Sequence, residues 1–343
     1  MSRSRHCARV TASLAAISLI AASCGGDDAD ITLYSGRSAE LIQPIIDEFE
    51  EVSGLSVEVK YGNSADLALL IDEEGEASAM AADVFLSQSP GSMGFLEKRG
   101  RLATLPESTL ALVTDNVRDD SGSWIGFSGR QRVLVYNTDA VDPVDLPSSV
   151  LDMTDPEWKG RIGVAPGNGS FQDFVTAMRA TTGDDATLEF LKALDANDPV
   201  LYANNSAIVA AVGRGEVDTG LVNHYYNYRA LVENPDQPSA NHVFGPDDPG
   251  AVLIITGAAI LAGADDAEPA AQLIDFLLGS SGQQYFATET FEYPLAIGQL
   301  PAINVPPIDF SNDISNAGGI AFEDLAGGLE ATRALIAESG LES

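Results

Sequence analysis

The chain has 343 residues, 45% of them hydrophobic and 20% charged, with 51 acidic against 18 basic side chains and a formal charge of −33. That imbalance excludes nucleic acid and anionic membrane surfaces as partners, and the length suits one large or two medium domains. Only two cysteines occur, Cys7 and Cys24, which excludes a disulfide framework and a thiolate metal site.

The N-terminus reads as an export signal. Arg3, Arg5 and Arg9 precede "VTASLAAISLIAAS", an apolar run too short to span a bilayer comfortably. Residues 1–23 are expected to be removed. "AASC" resembles a bacterial lipoprotein processing site, with Ala21 where leucine is usual, so Cys24 is the expected lipidated terminus and 24–29 a flexible tether. The protein is then periplasmic or held at the outer face of the cytoplasmic membrane. No later segment reads as a transmembrane helix.

After the tether, "ITLYSG" (31–36) predicts a strand and "SAELIQPIIDEFEEVSG" a helix, with Leu41, Ile45, Ile46 and Phe49 at helical spacing, Ser38 as N-cap and Gly54 as stop. "SVEVKYG" alternates as a strand, "SADLALLIDEEG" returns to a helix, "ADVFLSQ" is a strand and "GSMGFLEKRG" a short helix. This β-α-β-α-β order predicts a parallel sheet with right-handed crossovers and a site beyond the carboxyl ends of its strands. Region 124–137 reads as a strand pair with a glycine turn. A second α/β set follows: strand 161–165, helices 170–182 and 185–196, strand "VLYA", helix 206–214, strand "TGLVN" and a helix from 225. "AVLIITGAAIL" (251–261) is a long apolar strand, followed by helices at 267–279 and 281–289 and another near the C-terminus.

The fold class expected is α/β and bilobed. The first lobe comprises 30–130 plus 255–305, the second 131–254 plus 306–343, and 131–137 and 251–257 cross between them. Lobes joined in this way enclose a ligand cleft.

No enzyme constellation emerges. His224 and His242 lack metal-type spacing, and no GxSxG elbow is present. "PGNGSF" (166–171) is either a plain strand-to-helix turn or an anion-holding helix start built from backbone N–H groups and Ser170. In "DTGLVNHYYNYR" (218–229), Tyr225, Tyr226 and Tyr228 crowd the start of a helix. They read either as packing aromatics or as phenolate ligands, since a hard trivalent cation stabilises a phenolate whose free pKa is ~10.

The whole stretch after the tether resembles the periplasmic ferric-ion-binding proteins of bacterial iron ABC transporters. The shared motifs are "DITLYSGR", "ADVFLSQ", "SGRQRVLVYN", "VLDMTDPEWKGRIGVAPGNGSF", "LYANNS", "GEVDTGLVNHYYNY" and "DPGAVLIITGAAIL". The resemblance implies a bilobed binding protein, not an enzyme, that holds Fe³⁺ through tyrosinates with a synergistic anion such as carbonate, phosphate or citrate. It would act as a monomer and deliver iron to an inner-membrane ABC permease. Tyr225 and Tyr226 match the family's adjacent ligands, and Tyr136 matches a third tyrosine of some members. Ser38 and Gln88 stand where mixed-ligand members carry histidine and glutamate, which favours the three-tyrosine variety and leaves Gln88 either an amide donor or a structural group. Asn168, Gly169 and Ser170 match the anion loop, Asn205 and Asn223 match polar groups around it, and Arg37, Arg130 and Arg132 are candidates to balance the anion. The rival reading is a binding protein of the same fold for a polyamine, phosphonate or thiosulfate, with Arg130 and the 168–170 loop on the ligand and the tyrosines as walls.

Overall fold

The computed structural model describes residues 29–245, 248–264, 267–302, 304–305 and 328–341. The expected signal segment and Cys24 lie outside them.

The first elements follow the sequence pattern closely. Strand β1 (Ile31–Ser35) leads to α1 (Ala39–Ser53), whose Leu41, Ile42, Ile45, Ile46 and Phe49 are all buried on one face. Gly54 ends that helix in the left-handed conformation at φ 75°, its N–H donating to Glu50, a geometry that glycine adopts without steric cost. Then come β2 (Val57–Tyr61), α2 (Ser64–Glu76), β3 (Val84–Ser87), α3 (Pro90–Lys98) and the single-turn α4 (Glu107–Leu110). β1 pairs in parallel with both β2 and β3.

The next strand departs from expectation. Region 124–137 is not a hairpin but one continuous strand, β4 (Ile125–Asn137). Its glycines serve packing rather than a turn: a Cβ on Gly126 would lie 3.0 Å from the Ile255 side chain and 3.1 Å from that of Leu295. Two sheets share this strand. Residues 125–131 pair antiparallel with β9 (Leu253–Ile260), which in turn pairs with β3, whereas 132–136 pair antiparallel with β7 (Thr219–Asn223).

The second α/β set contains β5 (Ile162–Val164), α5 (Gly169–Thr182), α6 (Asp184–Ala196), β6 (Val200–Leu201), α7 (Asn205–Gly213), β7, α8 (His224–Glu233) and β8 (Ser239–His242). β5 pairs in parallel with β6 and β7, and β8 pairs with the far end of β4. The chain returns through β9 to the first sheet, where α9 (Ala267–Leu278), α10 (Ser280–Thr288) and β10 (Tyr293–Pro294) follow, β10 pairing with Ser128 and Gly129. The last helix, α11 (Leu329–Ser339), packs on α5 and α6. The strand order is β2-β1-β3-β9-β4-β7-β5-β6, with β4 at the junction. Among the described residues no helix is long and apolar enough to cross a membrane.

Candidate ion and anion cleft

The carboxyl ends of β1, β3, β5 and β7 converge, and a cavity of about 100 Å³ lies between them. Gly36, Ser64, Gln88, Ser89 and Ser92 line it from the side of the first sheet, and Asn168, Gly169, Ser170, Gln172 and Asp173 from the side of the second. This is the switch-point location at which α/β sheets hold ligands.

The 168–170 loop is built as a helix start. Asn168 caps α5, its Oδ1 accepting from the Ser170 N–H at 3.0 Å. Asn223, fully buried at the end of β7, donates from Nδ2 to Ser170 Oγ at 3.0 Å, and Asn205 donates to Asn168 Oδ1 at 3.5 Å. Asn168, Gly169 and Ser170 therefore face the cavity, while Asn205 and Asn223 hold the loop from behind.

The three candidate arginines separate into different roles. All are 1% exposed. Arg130 alone lines the cavity; it donates to Thr256 Oγ1 at 2.9 Å and to the Gln88 carbonyl, and its Nε has no partner. Arg132 donates to Asn223 Oδ1 at 3.0 Å and to the Leu221 carbonyl at 2.9 Å, so it braces the loop through Asn223. Burial, then the neighbouring Arg130, pull its pKa down to about 9. Arg37 is not an anion group. Its guanidinium forks onto Glu292, with Nη1 to Oε1 at 3.0 Å and Nη2 to Oε2, and it also reaches Thr256. A guanidinium already satisfied by a carboxylate at both nitrogens has no fork left for a ligand.

The tyrosine pair stands at the junction of β7 and the helix after it. Tyr225 and Tyr226 follow β7 directly and open α8. Neighbours on a helix diverge by about 100°, yet here the two rings stack with centroids 4.3 Å apart and an interplanar angle of 27°. The two phenols thus lie side by side where β7 ends. Burial, then Tyr226 and Glu292, push the Tyr225 pKa well up, against an opposing pull from Arg130. Without a cation, Tyr225 is a neutral phenol. Tyr228 packs with Phe291 and Tyr293 in the apolar cluster that also includes Tyr225 and takes Tyr226 at its edge.

His224 is committed elsewhere: its Nδ1 accepts from the Gln131 N–H at 3.1 Å, so Nε2 donates to the Phe291 carbonyl at 2.8 Å. Burial drives its pKa down to about 4, keeping it neutral. Among the described residues no three His, Cys, Asp or Glu side chains gather as a metal cage.

Two expectations about ligands need correction. Tyr136 pairs with Thr219, at the opposite end of β7 from Asn223, four residues along β4 from Arg132. At about 3.3 Å per residue that is roughly 13 Å of strand, and Tyr136 packs in the main apolar core instead. Ser38 is exposed at the start of α1 and does not line the cavity. Gln88 does line it.

Two acidic residues that the sequence reading did not single out stand among these groups. Glu292 neutralises Arg37, and burial of its carboxyl is outweighed by Arg37, Arg130 and Thr290, which hold its pKa below the usual range. Asp173, 6% exposed, accepts from Ser89 Oγ at 2.7 Å across the cleft, while its Oδ2 is buried without a partner. A signal for Asp173 existed: it is the one acid in α5, within a run from Ser170 to Met178 that is buried throughout.

Residues 80–308 match the family of bacterial extracellular solute-binding proteins. The chain belongs to that family. The binding protein is 33% identical over 276 residues to the Fe(3+)-binding periplasmic protein of Serratia marcescens, covering 79% of this chain and 80% of the relative. It is 34% identical to the major ferric iron-binding protein of Neisseria meningitidis, covering 82% and 85%. Among solved structures, iron-bound HitA from Pseudomonas aeruginosa superposes with a TM-score of 0.83 at 33% identity, over 90% of this chain and 99% of that one. A Trichodesmium protein solved with iron and citrate superposes with a TM-score of 0.74 at 25% identity, over 91% and 99%. The fold is therefore that of the bilobed binding proteins, as the sequence reading expected.

Proposed function

We propose that this binding protein captures ferric iron outside the cytoplasm and passes it to an ABC permease, with Tyr225 and Tyr226 as the protein's ligands. The observation that carries this reading is the side-by-side stacking of two adjacent phenols two residues after Asn223, the side chain that holds Ser170 of the cavity loop. Oxygen donors suit a hard trivalent cation. Two phenolates leave one positive charge on Fe³⁺, which an oxyanion held by Arg130 and the 168–170 loop would neutralise. Ligands from the second sheet and cavity walls from the first favour a closed cleft when both are engaged. The lobes are read as 30–130 with 255–305, and 131–254 with the C-terminal segment. Anchoring through Cys24 belongs to the same reading.

Ferric citrate titrated into the purified protein should produce a visible tyrosinate-to-iron band. Tyr225→Phe and Tyr226→Phe should each weaken or abolish it. Colourless protein that retains no iron would move the assignment to an organic or oxyanion ligand.

A further inference from the structure

The cavity contains a group that an anion site would ordinarily avoid. Asp173 is a carboxyl more than nine-tenths buried, lining the same space as Arg130 and the 168–170 loop. Ser89 occupies Oδ1 at 2.7 Å, and Oδ2 is left buried with no hydrogen-bond partner. Burial pushes this carboxyl up to about 6, against Ser89, Arg130 and Arg132, so it is ionised above neutrality.

An ionised carboxylate only accepts hydrogen bonds. An oxyanion entering beside it therefore meets two kinds of wall. The side chains of Arg130 and Ser170 and the backbone at the start of α5 offer donors, and Asp173 Oδ2 offers a lone pair. An anion that is fully deprotonated presents a lone pair to a lone pair there. One that retains a proton donates it to Oδ2 and leaves no buried acceptor unsatisfied, which is where the larger energy difference lies.

We propose that Asp173 makes this pocket specific for oxyanions that still carry a proton, such as hydrogen phosphate or hydrogen carbonate, and rejects fully deprotonated anions of similar size such as sulfate. The proposal rests on the anion pocket of the function proposed above, but needs no iron for its test. A buried polar mismatch of this kind separates two ligands by about tenfold to a hundredfold.

The experiment is calorimetric titration of the metal-free protein at pH 8 with inorganic phosphate and, separately, with sulfate. Phosphate should bind at least about tenfold more tightly than sulfate. Asp173→Asn offers an amide donor in place of the acceptor and should tighten sulfate while weakening phosphate, collapsing the ratio. Ser89→Ala, which keeps the carboxylate and frees its second oxygen, should retain the preference. Equal affinities in the wild type, no binding of either anion, a ratio unchanged in Asp173→Asn, or a ratio lost in Ser89→Ala would each overturn the proposal. The iron-dependent visible band, recorded on the same samples, keeps the two readings apart. Band present with no anion preference removes only the role of Asp173, and preference present without a band removes only the iron assignment.

Discussion

Replacing Glu292 by glutamine should destabilise the protein more than any other single polar change in the cleft. Arg37 and Glu292 are 1% and 0% exposed, and they join the loop after β1 to the segment before β10, 255 positions apart. Glu292 also accepts from Ser128 at 3.3 Å and from Thr290 at 2.9 Å, so its carboxylate is the node of a closed network. Glu292→Gln keeps the shape and removes the charge, leaving a buried guanidinium facing an amide dipole. Breaking such a pair from one side costs about 3–5 kcal/mol. With roughly 300 folded residues at ~2.1 cal/mol/K each, that corresponds to a fall in Tm of about 5–8 °C. Replacing both partners, as Arg37→Met with Glu292→Met, removes the uncompensated charge and should recover most of the loss. Differential scanning calorimetry at pH 7.5 of the wild type, the two single variants and the double variant reads this directly. A Glu292→Gln protein melting within about 1 °C of wild type would refute the reasoning, because it would mean that Arg37 does not depend on this carboxylate. The same double variant should still bind phosphate, whereas Arg130→Met should not.

Other outcomes follow from the same geometry. Tyr136→Phe should leave the iron band intact, measured by visible titration, since that ring belongs to the core. Iron occupancy should fall on acidification, because each phenolate ligand must give up a proton to bind and takes one back on release; a flat occupancy curve from neutral pH to about pH 4 would contradict this. Asp173 and His224 act on stability with opposite sign in one pH window. The Asp173 carboxyl, raised to about 6, stabilises the fold at low pH and loses that contribution as pH rises from about 4 to 6. His224, lowered to about 4, favours the fold above about 6.5 and loses that contribution as pH falls to about 4. Each effect is at most roughly 3 kcal/mol, so the wild-type Tm should change little between pH 6.5 and 4. Asp173→Asn should be more stable than wild type at pH 7 and should show a clear fall in Tm across that interval.

Local patterning made most of the fold legible. Helical spacing of Leu41, Ile45, Ile46 and Phe49, the stop at Gly54 and the turn residues between strands placed most elements to within one or two positions. The hairpin reading of 124–137 failed because a glycine that lets two side chains close over a strand looks, in sequence, like one that turns it. The tyrosine pair was legible because two phenols beside an apolar strand are chemically unusual. Tyr136 was not, since its strand direction away from the cleft depends on the register between β4 and β7, which no local pattern encodes. Glu292 and its 255-residue separation from Arg37 lay beyond reach for the same reason. The two arginines that do serve the loop, Arg130 and Arg132, were visible as a cluster, but which of them meets the ligand depended on the sheet junction between them.

That junction constrains how such a protein can be cut or recombined. Because β4 gives residues 125–131 to one sheet and 132–137 to the other, no cut of the polypeptide within it yields two self-sufficient halves: each fragment would keep only part of a central strand and expose an unpaired edge. A chimera that exchanges one half with a relative must therefore carry the whole of 125–137 from a single parent, together with the strands that read both of its registers. Sequence drift in β4 answers to two partners at once, and a change that suits one sheet is tested immediately by the other.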